Sequence, residues 1–82
     1  MSGTQDNSLY ELLGVERTAT TAQIRKGYYN QARRWHPDKN PEDPTAEERF
    51  KKISEAYQIL IDSNQRAVFD RSGMAGIKGQ QG

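Results

Sequence analysis

The chain has 82 residues, enough for one small domain, and its 12 basic and 11 acidic residues leave a formal net charge of +1. With no cysteine and one histidine, disulfides, thiolate catalysis and cysteine-ligated zinc are excluded, and nothing indicates a metal or cofactor. Its longest aliphatic run, residues 59–61, is far shorter than the ~20 apolar residues of a membrane span, and residues 1–8 lack signal-peptide character. We expect a soluble domain in the cytoplasm or nucleus.

Four capping boxes predict four helices. In such a box, a Ser, Thr, Asp or Asn is followed three residues later by a Glu or Gln, and the pair satisfies two free backbone donors. The boxes are Ser8 with Glu11, Thr20 with Gln23, Thr45 with Glu48, and Asp62 with Gln65. Because each opens a stretch with apolar residues at helical spacing, the sequence predicts an all-α fold.

The second and third helices should form an antiparallel hairpin. A short first helix ends at Gly14, the second runs from about 21 to 35, and the third from about 46 to 61. Along the third helix the apolar residues follow a 3-4-3 spacing that is typical of helix packed on helix. The connection, residues 36–44, contains three prolines, so it cannot be helical and should be stiff.

Both ends of the chain are predicted to be less ordered than the middle. A brief fourth helix at about 63–71 should return Val68 and Phe69 to the hairpin. Residues 1–7 are expected to form a flexible N-terminus. Residues 74–82 are expected to form a flexible tail or the start of a linker, because glycine recurs at every third position there. The folded domain is therefore predicted to span residues 8–73.

The charges are distributed unevenly along the hairpin. Residues 24–39 hold five basic side chains against one acidic, whereas residues 42–55 hold five acidic against three basic. On the second helix we define the basic face as Arg25, Lys26, Arg33 and Arg34. Such a face is often only solvated, but it can also steer an acidic partner into one orientation.

The motif His36-Pro37-Asp38 follows the basic face directly. Its simplest interpretation is structural, since proline ends a helix and aspartate accepts hydrogen bonds from nearby amides in a turn. A catalytic role would need a nucleophile or a second general acid within reach, and none is apparent. Nucleic acid is one candidate partner for the basic helix, with stacking on Tyr29 or Trp35. An acidic protein groove is the other, and the modest pI of about 8.0 favours it.

Four segments resemble the J domain of DnaJ co-chaperones, over about residues 8–73. They are LYELLGV (9–15), AQIRKGYYNQARRWHPDKNP (22–41), AEERFKKISEAYQIL (46–60) and QRAVFD (65–70). The resemblance implies a monomeric module that hydrolyses nothing itself. Such a module binds a heat-shock-70 ATPase of the DnaK type and stimulates its ATP hydrolysis, while clients bind through regions outside this chain. A nucleic-acid-binding module and a J-like scaffold that binds without stimulating remain the alternatives.

The resemblance also implies a role for each site residue. Asp38 would contact the chaperone, Pro37 would fix the loop, and His36 would orient it. The remaining candidates are the docking residues Arg25, Lys26, Arg33, Arg34, Lys39 and Asn40, and the loop-bracing residue Phe50.

Some positions depart from the family pattern. Tyr29 and Asn30 stand where Lys or Arg is frequent, so the docking face is less positive than usual and the choice of chaperone could differ. Gly27 replaces a frequent Ala, which is expected to cost about 0.5–1 kcal/mol of helix stability.

Overall fold

Four α-helices and one 3₁₀ turn account for most of the described chain. The computed structural model describes residues 6–80, and no strand occurs among them. The elements are α1 (Ser8–Leu13), α2 (Thr21–Trp35), the 3₁₀ turn (Pro37–Lys39), α3 (Pro44–Ile61) and α4 (Ser63–Gln80). The prediction of an all-α fold is confirmed.

Helices α2 and α3 form the antiparallel hairpin that the sequence predicts. Near the connection, the Arg49 guanidinium lies 4.5 Å from the centre of the Trp35 ring. Two to three turns away, the rings of Tyr28 and Tyr57 stack with their centres 4.3 Å apart. Contacts between early α3 and late α2, and between late α3 and middle α2, require opposite helix directions.

The core lies where α1 and α4 meet the hairpin. The largest side chains that are almost wholly inaccessible are Tyr10, Leu13, Ile24, Leu60, Phe69 and Ile77. The six residues of α1 are too few to be a stable helix alone. Burial of Leu9, Tyr10 and Leu13 holds them in place. Burying a side chain of this size contributes about 1.5–3 kcal/mol.

A polar network around Tyr10 ties α4 to the α1–α2 connection. The Tyr10 hydroxyl donates to Asp70 at 2.5 Å and accepts from Nε of Arg66 at 3.0 Å. Arg66 also donates to the backbone carbonyls of Arg17 and Ala19, at 2.9 and 2.8 Å. Burial, followed by the hydrogen bond to Asp70, raises the pKa of Tyr10. The hydroxyl therefore remains protonated and donates at neutral pH.

The prediction of a flexible tail after Gly73 is wrong for residues 74–80. These residues continue as helix after a kink at Gly73, whose φ of 69° lies in the left-handed region that glycine tolerates. Ile77 is buried and Met74 packs against the core. Because the two residues are three positions apart, they lie on one apolar face of the helix, which packs against the core. The recurring glycines alone did not indicate this face. Residues 81–82 lie outside the described residues.

The predicted flexible N-terminus, residues 1–7, is likewise corrected at its end. Asp6 Oδ1 accepts from the amide and the hydroxyl of Ser8, and Asp6 Oδ2 accepts from the Met74 amide at 3.1 Å. These bonds, the Ser8 hydroxyl first, lower the pKa of Asp6. The carboxylate thus joins the start of α1 to the kink in α4. Residues 1–5 lie outside the described residues.

Only one of the four predicted capping boxes is complete in the described chain, and it joins Thr20 and Gln23 at the start of α2. At α3 the cap lies two residues closer to the N-terminus than predicted, since Asp43 accepts from the Thr45 amide. Asp62 accepts from the amides of Asn64 and Gln65, so α4 receives a side-chain cap without the reciprocal half. The boxes located the helices, and Thr20 and Asp62 cap them as predicted, whereas Asp43 takes the place of Thr45.

Gly27 has a packing role that its low helix propensity does not indicate. A Cβ at this position would lie 2.5 Å from the Leu13 carbonyl oxygen and 2.7 Å from Val15 Cγ1. The absent side chain lets α2 approach the end of α1 closely.

We expect Gly27→Ala to destabilise the domain by about 1–2 kcal/mol. Overpacking costs about 1–3 kcal/mol, and the better helix propensity of alanine returns less than about 1 kcal/mol. Urea unfolding followed by circular dichroism measures the difference. Gly79→Ala is the control, because its Cβ would meet nothing within 4 Å. A stabilised Gly27→Ala variant would show that the close approach is not required.

Candidate functional site

The loop between α2 and α3, residues 36–43, turns sharply at its first residue. His36 has an extended backbone (φ −60°, ψ 133°), which ends α2 before Pro37. A single 3₁₀ turn follows, in which the Lys39 amide donates to the His36 carbonyl at 3.0 Å and the Asn40 amide donates to the Pro37 carbonyl at 3.1 Å. The motif is therefore a separate, internally bonded corner and not a continuation of either helix.

Within the corner, the half-exposed His36 side chain contacts Phe50, whereas the Asp38 side chain is open to solvent. His36 Nδ1 accepts a hydrogen bond from the Asp38 amide at 3.1 Å, so the proton of the neutral ring lies on Nε2. The His36 ring meets Phe50 edge to face, with centres 5.3 Å apart. The Asp38 side chain is 92% exposed, and its nearer carboxylate oxygen lies 3.8 Å from Nδ1. The turn thus orders the backbone of Asp38, while its carboxylate is open to solvent.

Asn40 closes the end of α2. Its side-chain amide donates to the carbonyls of Arg34 and His36, at 3.0 Å each. Such terminal carbonyls have no partner within the helix. This role was missed from the sequence, where Asn40 was placed among the contact residues, although asparagine just beyond a helix end is a known stop signal.

The far side of the loop is fixed by Asp43 and Pro44, which begin α3. Asp43 accepts from the hydroxyl of Thr45 at 2.6 Å and from its amide at 2.9 Å. These bonds, the hydroxyl first, lower the pKa of Asp43, so this cap is charged at neutral pH. Both ends of the loop are therefore anchored by side-chain hydrogen bonds.

The four members of the basic face are all exposed on α2. Among residues 6–80, no carboxylate forms an ion pair with any of them. Interaction with the Tyr57 side chain raises the pKa of Arg25, which keeps this guanidinium charged. The Arg34 guanidinium lies 5.5 Å from the centre of the Trp35 ring. The face thus offers cationic groups that the described part of the chain does not neutralise.

Comparison with known proteins assigns this arrangement. The family model described as the DnaJ domain matches residues 8–70, which is most of the chain. The chain belongs to the DnaJ domain family. DnaJ domains are co-chaperone modules, and the resemblance noted in the sequence is thereby confirmed.

Bacterial relatives agree with the assignment. This DnaJ domain is 51% identical over 73 residues to the chaperone protein DnaJ of Acidithiobacillus ferrooxidans, covering 89% of the chain and 20% of that protein. It is 56% identical over 68 residues to the chaperone protein DnaJ of Halothermothrix orenii, covering 83% of the chain and 18% of that protein. The chain therefore spans about a fifth of the length of these curated relatives.

A solved structure is similar as well. The J-Trx1 fragment of ERdj5 matches this DnaJ domain with a TM-score of 0.76 and 41% identity. The match covers 85% of the chain and 33% of the fragment.

The site of this DnaJ domain brings most of the predicted residues to one end and one side of the hairpin. Asp38 and Lys39 are exposed in the corner, and Phe50 supports His36 from α3. Of the described residues, no group of three or more His, Cys, Asp or Glu could hold a metal ion. No described helix is both long and apolar enough to cross a membrane.

Proposed function

We propose that this domain binds a heat-shock-70 chaperone of the DnaK type and stimulates its ATP hydrolysis, so that the chaperone retains its client. One observation carries the proposal: the exposed Asp38 carboxylate stands on an ordered corner at the end of a helix whose basic face no carboxylate among residues 6–80 neutralises. The domain performs no chemistry of its own in this account. It changes the conformation of the enzyme that does.

The corner is suited to a directional contact. A carboxylate can accept two parallel hydrogen bonds from an arginine, and this geometry requires the acceptor to be held in one orientation. Pro37 and the bond from the Asp38 amide to His36 order the backbone that carries this carboxylate before binding. Phe50 would brace His36 through the edge-to-face contact. Preorganisation of this kind reduces the entropy lost on association.

The basic face is suited to orientation. Arg25, Lys26 and Arg33 are exposed on α2, Arg34 lies one residue before its end, and Lys39 adds a positive charge within the corner. An acidic surface on the chaperone ATPase would attract this face over several ångströms and align the corner as the two proteins meet. Asn40 would support the contact by holding the end of α2, and so acts on the chaperone through the residues that it positions.

A single-turnover assay tests the proposal. A DnaK-type chaperone preloaded with radiolabelled ATP is mixed with buffer or with this domain, and the hydrolysis rate is followed. We expect acceleration that saturates with domain concentration. Binding without acceleration would favour the scaffold alternative. The absence of both binding and acceleration would refute the proposal.

We also predict that salt weakens the stimulation. Exposed charges are screened over about 10 Å at 0.1 M salt, so raising NaCl from about 50 to about 300 mM should increase the half-maximal domain concentration at least threefold. The measurement is the same assay at each salt concentration, corrected for the basal rate of the chaperone. Circular dichroism of the domain checks that salt leaves its fold intact. A half-maximal concentration independent of salt would contradict docking through the basic face.

The nucleic-acid alternative gains no support from the positions of the aromatic rings. Trp35 is half-buried between the core and Arg49, which leaves Tyr29 as the large exposed ring on α2.

We propose further that the domain acts as a monomer in the cytoplasm. Client binding would belong to other regions, since the relatives are about five times longer.

A further inference from the structure

Tyr29 is an unusual residue on the basic face. Among residues 6–80 it is the one large hydrophobic residue that is exposed, with 55% of its surface accessible. On the helix its neighbours at positions i−4, i−3 and i+4 are Arg25, Lys26 and Arg33. An aromatic ring thus occupies the middle of the surface that is proposed to meet the chaperone.

The ring does not project alone, because two other tyrosines support it. The ring centres of Tyr29 and Tyr28 are 5.5 Å apart, at an interplanar angle of 49°. Tyr28 in turn stacks on Tyr57 of α3, with centres 4.3 Å apart and planes within 17°. This row of rings, which we call the tyrosine ladder, crosses from α2 to α3. It restrains Tyr29 in the free domain, so less side-chain entropy would be lost on binding.

We infer that Tyr29 is the apolar anchor of the contact with the chaperone and a determinant of which chaperone is accepted. The inference rests on the proposed function. The complementary surface is a shallow apolar recess for the ring, bordered by carboxylates that face Arg25, Lys26 and Arg33. A chaperone that places a carboxylate where the ring would lie is disfavoured, because that charge would lose water without gaining a partner.

An aromatic anchor supplies what the surrounding charges cannot. Exposed ion pairs contribute little binding energy each and are screened by salt. A tyrosine buried at the centre of an interface removes a large apolar area from water while its hydroxyl remains bonded, and such residues dominate many interfaces. The cationic neighbours would then orient the encounter, while Tyr29 would set the lifetime of the complex.

Titration of single-turnover ATPase stimulation against domain concentration tests the inference. The variants are Tyr29→Ala, Tyr29→Phe and Tyr29→Lys, with Gln58→Ala as the control because Gln58 is exposed on α3 beside the end of α4. Circular dichroism confirms that each variant is folded. Tyr29→Ala should raise the half-maximal concentration at least about tenfold at both low and high salt. Its maximal stimulation should be unchanged, since the His-Pro-Asp corner is intact.

The other two substitutions separate the ring from its charge environment. Tyr29→Phe should retain most of the affinity. Tyr29→Lys should bind better than Tyr29→Ala at low salt and lose that advantage at high salt. An unchanged half-maximal concentration for Tyr29→Ala would overturn the inference. The proposed function would still stand if stimulation continued to depend on Asp38. The same variants are also tested for single-stranded DNA binding in mobility shifts. If they lose DNA binding without any change in stimulation, the inference about Tyr29 is equally overturned.

Discussion

Asp38→Asn should reduce stimulation of the chaperone ATPase by at least about thirtyfold. Removing one partner of a desolvated, hydrogen-bonded charge pair costs about 2–5 kcal/mol, and each 1.4 kcal/mol corresponds to a factor of ten. Asparagine keeps the shape of aspartate and the amide that donates to His36 Nδ1, so the corner should remain folded. The expected loss therefore reports the negative charge and not a rearranged loop.

The measurement is single-turnover ATP hydrolysis at domain concentrations well below saturation, where a loss of affinity and a loss of maximal stimulation both lower the rate. Glu55→Gln is the matched control, because it removes one exposed carboxylate charge on α3 without touching the corner. Circular dichroism and thermal unfolding should coincide for both variants and the parent. Full stimulation by Asp38→Asn would contradict the central role of the carboxylate, whereas equal losses in both variants would point to overall charge.

Local patterns in the sequence predict the hairpin and its corner well. Pro37, Pro41 and Pro44 prevent α2 and α3 from joining into one helix, whatever the tertiary context. The 3-4-3 spacing on α3 likewise requires a partner helix, and two helices joined by so short a loop must run antiparallel. The exposure of Asp38 follows from its place in the loop at the end of the hairpin. These features depend on neighbouring residues alone.

Features that depend on distant residues could not be predicted in this way. Gly27 has a low helix propensity, and its packing role depends on Leu13 and Val15, which only the folded structure brings against it. Ile77 lies among glycines, and its burial depends on a kink at Gly73 that is closed by Asp6 from the opposite end of the chain. No local pattern relates these positions. Hydrophobic burial outweighed the low helix propensity of the glycine-rich segment.

The Tyr10 network is the other long-range feature, and Arg66 is its centre. Its side chain makes three hydrogen bonds, to the Tyr10 hydroxyl and to the carbonyls of Arg17 and Ala19. Its guanidinium lies 5.5 Å from the centre of the Tyr10 ring. Two sequence segments nearly fifty residues apart are joined through this one side chain. The network holds α4 against the α1–α2 connection, so it supports the scaffold and not the corner itself.

We therefore expect Arg66→Met to lower the free energy of unfolding by about 3 kcal/mol, at about 1 kcal/mol for each hydrogen bond lost. Methionine keeps the length of the side chain but leaves two carbonyls and a buried hydroxyl without their donor. A domain of this size loses about 4–8 °C of Tm per kcal/mol, so thermal unfolding should shift by more than about 10 °C.

Arg71→Met is the control, since among the described residues its exposed side chain makes no hydrogen bond or ion pair. Equal, small shifts in the two variants would show that the network is not structural. Below its unfolding temperature, Arg66→Met should still stimulate the chaperone, because the corner and the basic face are unchanged.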